Sequence, residues 1–341
     1  MRLTKENTKR PHLAKVASLA GVSLATADRV INRRKGVKDR TRIRVLDAAR
    51  DIGYLSAEEA SRYNTVRPLN ITVLLPAGTN PYLRLLGERA KERIGQTSID
   101  APFLRCFFID SFNAAALVEA LHNNADWSDG IIFFAIEHPE VRDAAAEIAA
   151  TGTRLVTIVS DLGNSPQISH LGLDNRAVGR TAGLLIGRLA ESTIGSVALV
   201  AGSRHYRAHS EREAGFLSLI DEMFPKLKVV GMREGHDDAA ENYRHALDLF
   251  EKVPDLIGIY NVGGSSGGIT RAIREKRQTK LVFIGHGLTP DTRRAMLDGT
   301  IDAIFEMDPD ILIDRAIRCL SEPAARPRPL KLDIYFRENL P

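Results

Sequence analysis

"HLAKVASLAGVSLATADRVINRRKGV", residues 12–37, holds two short apolar-periodic runs separated by one glycine and ends in a cluster of basic residues. Leu13, Val16, Ala17 and Ala20 fall at helical spacing on one face, and Gly21 follows as a helix-ending residue able to adopt positive φ. Ser23 is a good N-cap for a second helix that buries Ala27 and Val30. Two short helices that cross through alanine and are joined by a tight glycine turn make a helix-turn-helix. The spacing predicts a third helix over Asp39–Asp51, with Ile43, Leu46 and Ala48 or Ala49 closing the small core.

The charge of the chain is divided in the same place. The first 69 residues carry 16 Lys and Arg against 7 Asp and Glu, a net +9, whereas the remainder carries 31 against 36, a net −5. Such asymmetry is expected of a small module that meets a polyanion, joined to a body that does not. In a helix-turn-helix the second helix enters the major groove, so Ser23 at its start and the outward Leu24, Ala25, Thr26, Arg29 and Asn32 become the candidate readers. Arg29 can pair bidentately with guanine O6 and N7, while Leu24 and Ala25 offer only apolar contact, which favours a thymine methyl. Lys35, Lys38, Arg40 and Arg42 suit phosphate contacts that position the module without reading sequence.

A chain of 341 residues with 44% hydrophobic content allows about two or three domains and a sizeable core. Its two cysteines, Cys106 and Cys319, are far apart and lack the paired spacing of a zinc site or redox dithiol, so reduced thiols in a cytoplasmic protein are expected. The N-terminus shows no secretory signal, and the apolar runs are too short to span a bilayer. No metal or cofactor is expected.

From Leu69 the pattern becomes strand-helix alternation. Continuous apolar runs at 70–76, 104–110, 130–136, 154–160, 169–174, 196–202, 228–234, 256–262, 281–287 and 303–308 read as strands, with helical segments between them such as Tyr82–Ile94 and Asn175–Ala190. This predicts parallel sheets covered on both faces, and a break near Ser160–Ser169 divides them into two doubly wound lobes. The expected organisation is a helix-turn-helix domain over 1–55, a linker over 56–68, and a two-lobed domain over 69–341. Open α/β lobes take ligands at the carboxyl ends of their strands.

"VASLAGVSLATADRVINRRKGVKDRTRIRVLDAARDIGY", residues 16–54, resembles the DNA-binding head of the LacI/GalR family of bacterial transcriptional regulators. Asp28 stands where that family more often has serine; an acid near phosphate weakens binding unless it pairs with a neighbour such as Arg29. The resemblance implies a hinge helix over "SAEEASRYN", residues 56–64, that folds on operator DNA and enters the minor groove. It puts Ala60 at the small groove-facing position and Tyr63 at that of an apolar lever, usually leucine, while Glu58 and Glu59 would face repulsion from phosphate. A flexible charged linker is the alternative.

The body is similar to the periplasmic sugar-binding-protein fold that serves as effector domain in the same family. This implies a ligand between the lobes, with Asn80 and Tyr82 in "AGTNPYLRLL" and Ser160 and Asp161 in "IVSD" among its partners. Other strand ends supply Asp110, His209, Ser210, Asn261, His286, Glu306 and Asp308. Asp110 serves equally well as a cap for the following helix. Where the family often has arginine this chain has Ser210, and where it has Asn-Asp this chain has Asn261-Val262, so the effector cannot be copied from a relative.

"GGSSG", residues 263–267, matches the G-x-S-x-G of a nucleophile elbow. The only downstream histidine is His286, and Glu275 is the sole carboxylate between Ser265 and it, so a triad is not easily assembled. The loop also lacks the Lys-Ser/Thr of a phosphate-binding loop. The chain therefore reads as a non-enzymatic regulator that binds palindromic operator DNA as a homodimer, with repression relieved by a sugar-like effector. Activation or corepression by the ligand is the second reading; a small-molecule-binding protein with a weak DNA-binding head is the third.

Overall fold

The computed structural model describes residues 12–32, 34, 36–56, 59, 68–95, 102–163, 165, 167–276, 280–321 and 327–341. The chain divides into two compact units, a head within Met1–Pro68 and a body that begins at Leu69.

In the head, α1 (Leu13–Leu19), α2 (Leu24–Ile31) and α3 (Asp39–Asp51) pack around a core of small side chains. Gly21 lies at φ 61°, the left-handed turn that ends α1, and Arg44 of α3 donates to the Ala20 carbonyl there. Ser23 caps α2 by accepting from the Thr26 amide at 3.1 Å. Val16, Ala17, Ala20, Ala27 and Val30 are buried, as their spacing predicts. On α3 the expectation is corrected at one position: Val45 is fully buried and Ile43 only partly, with Leu46, Ala48 and Ala49 completing the core.

The body contains two sheets. The elements of the first lobe, in chain order, are β1 (Asn70–Pro76), α4 (Pro81–Glu92), β2 (Phe103–Ile109), α5 (Ala114–Ala125), β3 (Gly130–Phe133), α6 (Pro139–Ala150), β4 (Arg154–Ile158) and β5 (Ser169–Leu171). Next come α7 (Asn175–Leu189), β6 (Gly195–Ala201), α8 (Arg207–Met223), β7 (Leu227–Glu234), α9 (Ala239–Lys252), β8 (Leu256–Asn261) and α10 (Gly267–Lys276). The chain finishes with β9 (Val282–His286), α11 (Pro290–Leu297), β10 (Ala303–Glu306), α12 (Pro309–Ser321) and β11 (Asp333–Tyr335).

The first sheet runs β2-β1-β3-β4-β5 and the second β11-β10-β9-β8-β6-β7. Central strands such as β1, β3, β6 and β10 are buried almost throughout, which is why they read as continuous apolar runs. Two details differ from the sequence expectation. The division between lobes falls after β5, because Ser169 to Leu171 pair in parallel with Val156 to Ile158. A short eleventh strand, β11, closes the second sheet antiparallel to β10; three residues with mixed polarity give no periodic signal.

The chain also returns to the first lobe. α12 follows β10 but packs on α4 and β4: Arg93 bonds Asp314 at 2.7 Å, and Arg154 donates to the Leu320 carbonyl. The last segment then crosses back, with the Leu330 amide donating to the Gly172 carbonyl at 2.8 Å. Within the second lobe, α7 and α8 approach closely at glycine. A Cβ on Gly179 would meet the Arg212 carbonyl oxygen at 1.9 Å, and one on Gly215 the Arg176 carbonyl oxygen at 2.1 Å. That approach fixes where Arg212 stands.

Candidate functional site

On the head, Ser23, Leu24, Ala25, Arg29 and Asn32 are exposed and Thr26 is half-buried. Leu24 keeps 54% of its surface in solvent, a large apolar side chain held outward at the start of α2. Asp28 does not pair with Arg29. Its carboxylate accepts from Asn32 Nδ2 at 2.7 Å and from Arg34 at 3.2 Å, so it neutralises itself on the neighbouring turn and fixes the Asn32 amide. Ser23 and Thr26 share a hydroxyl bond of 2.8 Å. Lys35, Glu58, Ala60 and Tyr63 lie outside the described residues. Ser56 and Glu59 do belong to them: the Ser56 amide donates to Glu59 Oε2 at 2.9 Å and the Glu59 amide to Ser56 Oγ at 3.1 Å. This reciprocal pair has the pattern of a capping box and occupies the carboxylate expected to repel phosphate.

In the body, each sheet has a switch point where strand order reverses, between β1 and β3 in one and between β6 and β8 in the other. Ligands of open α/β sheets bind outside such points. The loops leaving these four strands face one another across a cleft. Asn80 and Tyr82 enter from the turn after β1, Phe134 from the end of β3, Arg212 and His209 from α8, and Asp237 from the loop after β7. His286 and Phe305 line the far wall.

Arg212 is 5% exposed and belongs to no ion pair among the described residues. Its Nε donates to Asn175 Oδ1 at 2.9 Å and one terminal nitrogen to the Val262 carbonyl at 2.8 Å. Burial pulls its pKa below the ordinary guanidinium value. Burial together with Arg212 also holds both cleft histidines neutral. His209 is pushed down to about 4, against the opposing pull of Asp237, and His286 well below the ordinary range. His209 Nδ1 lies 3.0 Å from the Ser203 carbonyl and 3.3 Å from the Ser203 amide, so the backbone of Ser203 holds the ring. His286 Nε2 is 2.8 Å from the Tyr260 hydroxyl. The cleft thus offers a cationic donor fork, a carboxylate, neutral imidazoles and aromatic walls.

Of the expected ligand-binding residues, Asn80, Tyr82, His209 and His286 line this cleft. The others have different work. Asp110 is exposed and accepts from Asn113 Nδ2 at 3.0 Å, supporting the residue that caps α5. Ser160 is fully buried, with Oγ 3.5 Å from the Ala208 amide. Asp161 turns to the Leu162 amide and the Thr157 hydroxyl, at 2.7 and 3.1 Å. Ser210 donates to the Arg204 carbonyl at 3.1 Å. Asn261 shapes the glycine-rich turn, donating to the Gly264 carbonyl at 2.9 Å and to Ser266 Oγ at 2.8 Å. Glu306 accepts from the Leu288 amide, and Asp308 caps α12 through the Ile311 amide at 2.9 Å.

Arg212, Asp237 and Phe134 were not singled out from the sequence. The arginine missing at position 210 is supplied two residues later; helical phase would have shown it, since Arg212, Phe216 and Leu219 share the buried face of α8 with His209. Asp237 lies in a loop, where neither periodicity nor spacing marks it. In the G-x-S-x-G loop, Ser265 stands at φ 55° and its hydroxyl is committed to the Asp237 carbonyl.

Residues 71–322 match the family model of the periplasmic binding protein domain, and residues 12–56 that of bacterial regulatory proteins of the lacI family. An exposed α2 on a small basic head, followed by a cleft between two doubly wound lobes, defines a DNA-binding transcriptional regulator with a periplasmic-binding-protein body. The chain belongs to the LacI/GalR family. It is 25% identical over 268 residues, 76% of this chain and 75% of the relative, to the HTH-type transcriptional repressor PurR of Actinobacillus pleuropneumoniae serotype 5b (strain L20).

Among solved structures, a glucose-galactose binding protein from Geobacillus stearothermophilus superposes with a TM-score of 0.71 at 21% identity, covering 81% of this chain and 99% of its own. A solute-binding protein from Burkholderia graminis in complex with D-arabinose gives 0.72 at 20% identity, with 81% and 98% covered. A LacI transcriptional regulator from Bacteroides fragilis gives 0.72 at 17%, with 80% and 98% covered. These likenesses show the fold. Among the described residues no helix is long and apolar enough to cross a membrane.

Proposed function

We propose that the chain is a repressor whose hold on a palindromic operator is controlled by a neutral, hydroxylated small molecule, a sugar or polyol, bound in the cleft. The observation that carries the ligand class is Arg212. A buried guanidinium with no ion-pair partner is costly unless acceptors are brought to it. Lining the same cleft are the His209 imidazole, the Asp237 carboxylate and the rings of Tyr82, Phe134 and Phe305, the mixture of polar groups and flat apolar faces that a sugar ring satisfies. The sugar-binding neighbours support this class, and the PurR relative supports repression. Ligand-free repression relieved by binding is the first form of the coupling; corepression is the second.

On the head, Arg29 is assigned to a base edge and Leu24 and Ala25 to apolar contact, with Ser23, Thr26 and Asn32 alongside and Lys35, Lys38, Arg40 and Arg42 on phosphate. Residues 1–55 form the reading head, 56–68 the hinge and 69–341 the effector body, acting in the cytoplasm where the operator is. A homodimer presents two heads to two half-sites. Its body contact is assigned to the β2 edge, where Phe103 and Phe107 keep 60% and 42% of their surface exposed on an otherwise unpaired strand. Phe107→Glu should give a monomer in sedimentation velocity; an unchanged dimer would move the interface elsewhere.

The test of the ligand class is a thermal-shift panel of monosaccharides, polyols, sugar acids and sugar phosphates. A ligand at about a hundred times its Kd adds about 2.7 kcal/mol of stability. Operator titration with and without the hit then fixes the sign of the coupling. A hit confined to strongly anionic compounds would replace the neutral-sugar reading.

A further inference from the structure

The lobes bond directly to one another across the cleft, and two of those bonds end on one residue. Asp237, on the second lobe, takes Asn80 Nδ2 on Oδ2 at 2.9 Å and the Thr79 hydroxyl on its carbonyl at 3.0 Å, both from the first lobe. From its own lobe it takes the Gly264 amide on Oδ1 at 2.8 Å and the Ser265 hydroxyl on its carbonyl. Gly264 permits this approach: a Cβ there would meet Asn80 Nδ2 at 2.2 Å. The loop is also conformationally loaded. His236, Asp237 and Ser265 stand at φ 48°, 53° and 55°, a left-handed region that non-glycine residues occupy only when their surroundings over-determine it.

These are bonds between the chain's own groups and need no third component. Asp237 is at the same time part of the cleft lining, 7% exposed. A hydroxyl that reaches its carboxylate therefore meets the same two oxygens that Asn80 and Gly264 use and competes with those donors. The remaining inter-lobe contacts have another character. The Glu137 amide donates to the His205 carbonyl at 2.9 Å, and the Tyr206 ring packs 4.9 Å from Phe112 and 4.6 Å from Phe134, contacts made by backbone and apolar faces. The Tyr82 hydroxyl also donates to the Met307 carbonyl at 2.7 Å, but of these contacts the one at Asp237 sets a carboxylate in the cleft, the strongest acceptor there for a ligand hydroxyl.

We propose that Asp237 is a latch: it holds the two lobes together through Asn80 and Thr79, and a ligand acts by exchanging its own hydroxyl for one of these first-lobe donors. This rests on the cleft being the effector site. The device sets a threshold, since a ligand's apparent affinity falls with the fraction of molecules whose latch is free.

The test is the distance between labels on Glu140→Cys in the first lobe and Arg244→Cys in the second, in full-length chain carrying Cys106→Ala and Cys319→Ala, read by single-molecule energy transfer without added sugar. Asp237→Ala and, separately, Thr79→Val should each raise the population with separated lobes, about fivefold for each hydrogen bond removed. Combined, they should give less than the product of the single effects, because both act on one contact. An unchanged distance distribution in both variants overturns the latch. Opening by Asp237→Ala alone also overturns it, since that would put the hold in the strained loop rather than in the bonds between lobes. D-Glucose, D-galactose and D-arabinose are then titrated into wild type. Opening by both variants with no sugar bound leaves the latch standing and removes the sugar reading; sugar binding with no opening does the reverse.

Discussion

The head and the body place their working side chains in opposite physical settings. Arg29, Asn32 and Leu24 stand in solvent on a helix whose other face makes the core, so reading and folding use different atoms. Arg212, His209 and Asp237 are buried among the groups that hold the second lobe together, so there the same atoms serve both purposes. An exposed reader can change without disturbing the fold; a buried one cannot. Specificity in the head should therefore vary freely, whereas specificity in the cleft is tied to stability.

The largest test of this contrast is Arg212→Met. Losing the guanidinium's bonds to a bound ligand, two at roughly 1.5 kcal/mol each, should weaken ligand binding by about 3 kcal/mol, measured by calorimetry. The substitution also leaves Asn175 Oδ1 and the Val262 carbonyl without their donor, so the urea midpoint should fall as well. An unchanged midpoint would break the link between reading and folding in the cleft. Arg29→Ala is the matching change in the head. It should cost about 1–3 kcal/mol of operator affinity in a binding titration. Its melting temperature should not move, and a lowered one would break the separation of reading from folding.

Glu306 sharpens the contrast on the buried side. Burial, with Asp308 and Asp333 adding to it and the Leu288 amide opposing, pushes its carboxyl up to about 7. Between the ordinary value of 4.5 and about 7 the folded chain holds the extra proton, so stability falls as pH rises through that window. Glu306→Gln should be more stable than wild type at alkaline pH by about 1–2 kcal/mol, an advantage that vanishes near pH 4.5. Equal denaturation curves at both ends would remove Glu306 from the pH response. Asp28→Ser is the smallest test. Freeing the Asn32 amide and deleting a negative charge should improve operator affinity by about 0.5 kcal/mol, with exposed ion pairs of this kind worth little.

The same contrast explains how much could be read from the sequence. In the head, helix period, the N-cap Ser23 and the turn glycine Gly21 are all local, and they placed α3 at its observed bounds, Asp39–Asp51. The exchange of Ile43 for Val45 in the core is an error of phase within one turn. In the body the central strands were legible because burial on both faces leaves continuous apolar runs, and the edge strands β2 and β7, though partly exposed, keep enough apolar residues to read the same way. The cleft was only partly so. Strand ends are where ligands bind, yet a polar residue there serves a cap or a turn equally well, as Asp110, Asp161 and Asp308 do. Asp237 and Arg212 are brought together by the packing of α8 against the loop after β7, and no sequence window contains both.

The path of α12 bears on how the molecule is made. As the chain leaves the ribosome, β1 to β5 emerge first, but the helix that packs across α4 and β4 is encoded after β6 to β10. Until Pro309–Ser321 has been synthesised, the surface around Gly130 that receives Leu320 stays bare. The first lobe to be translated is thus among the last to be finished, and it must wait, with apolar surface open to chaperones or to other nascent chains, for a helix delivered only after most of the second lobe exists.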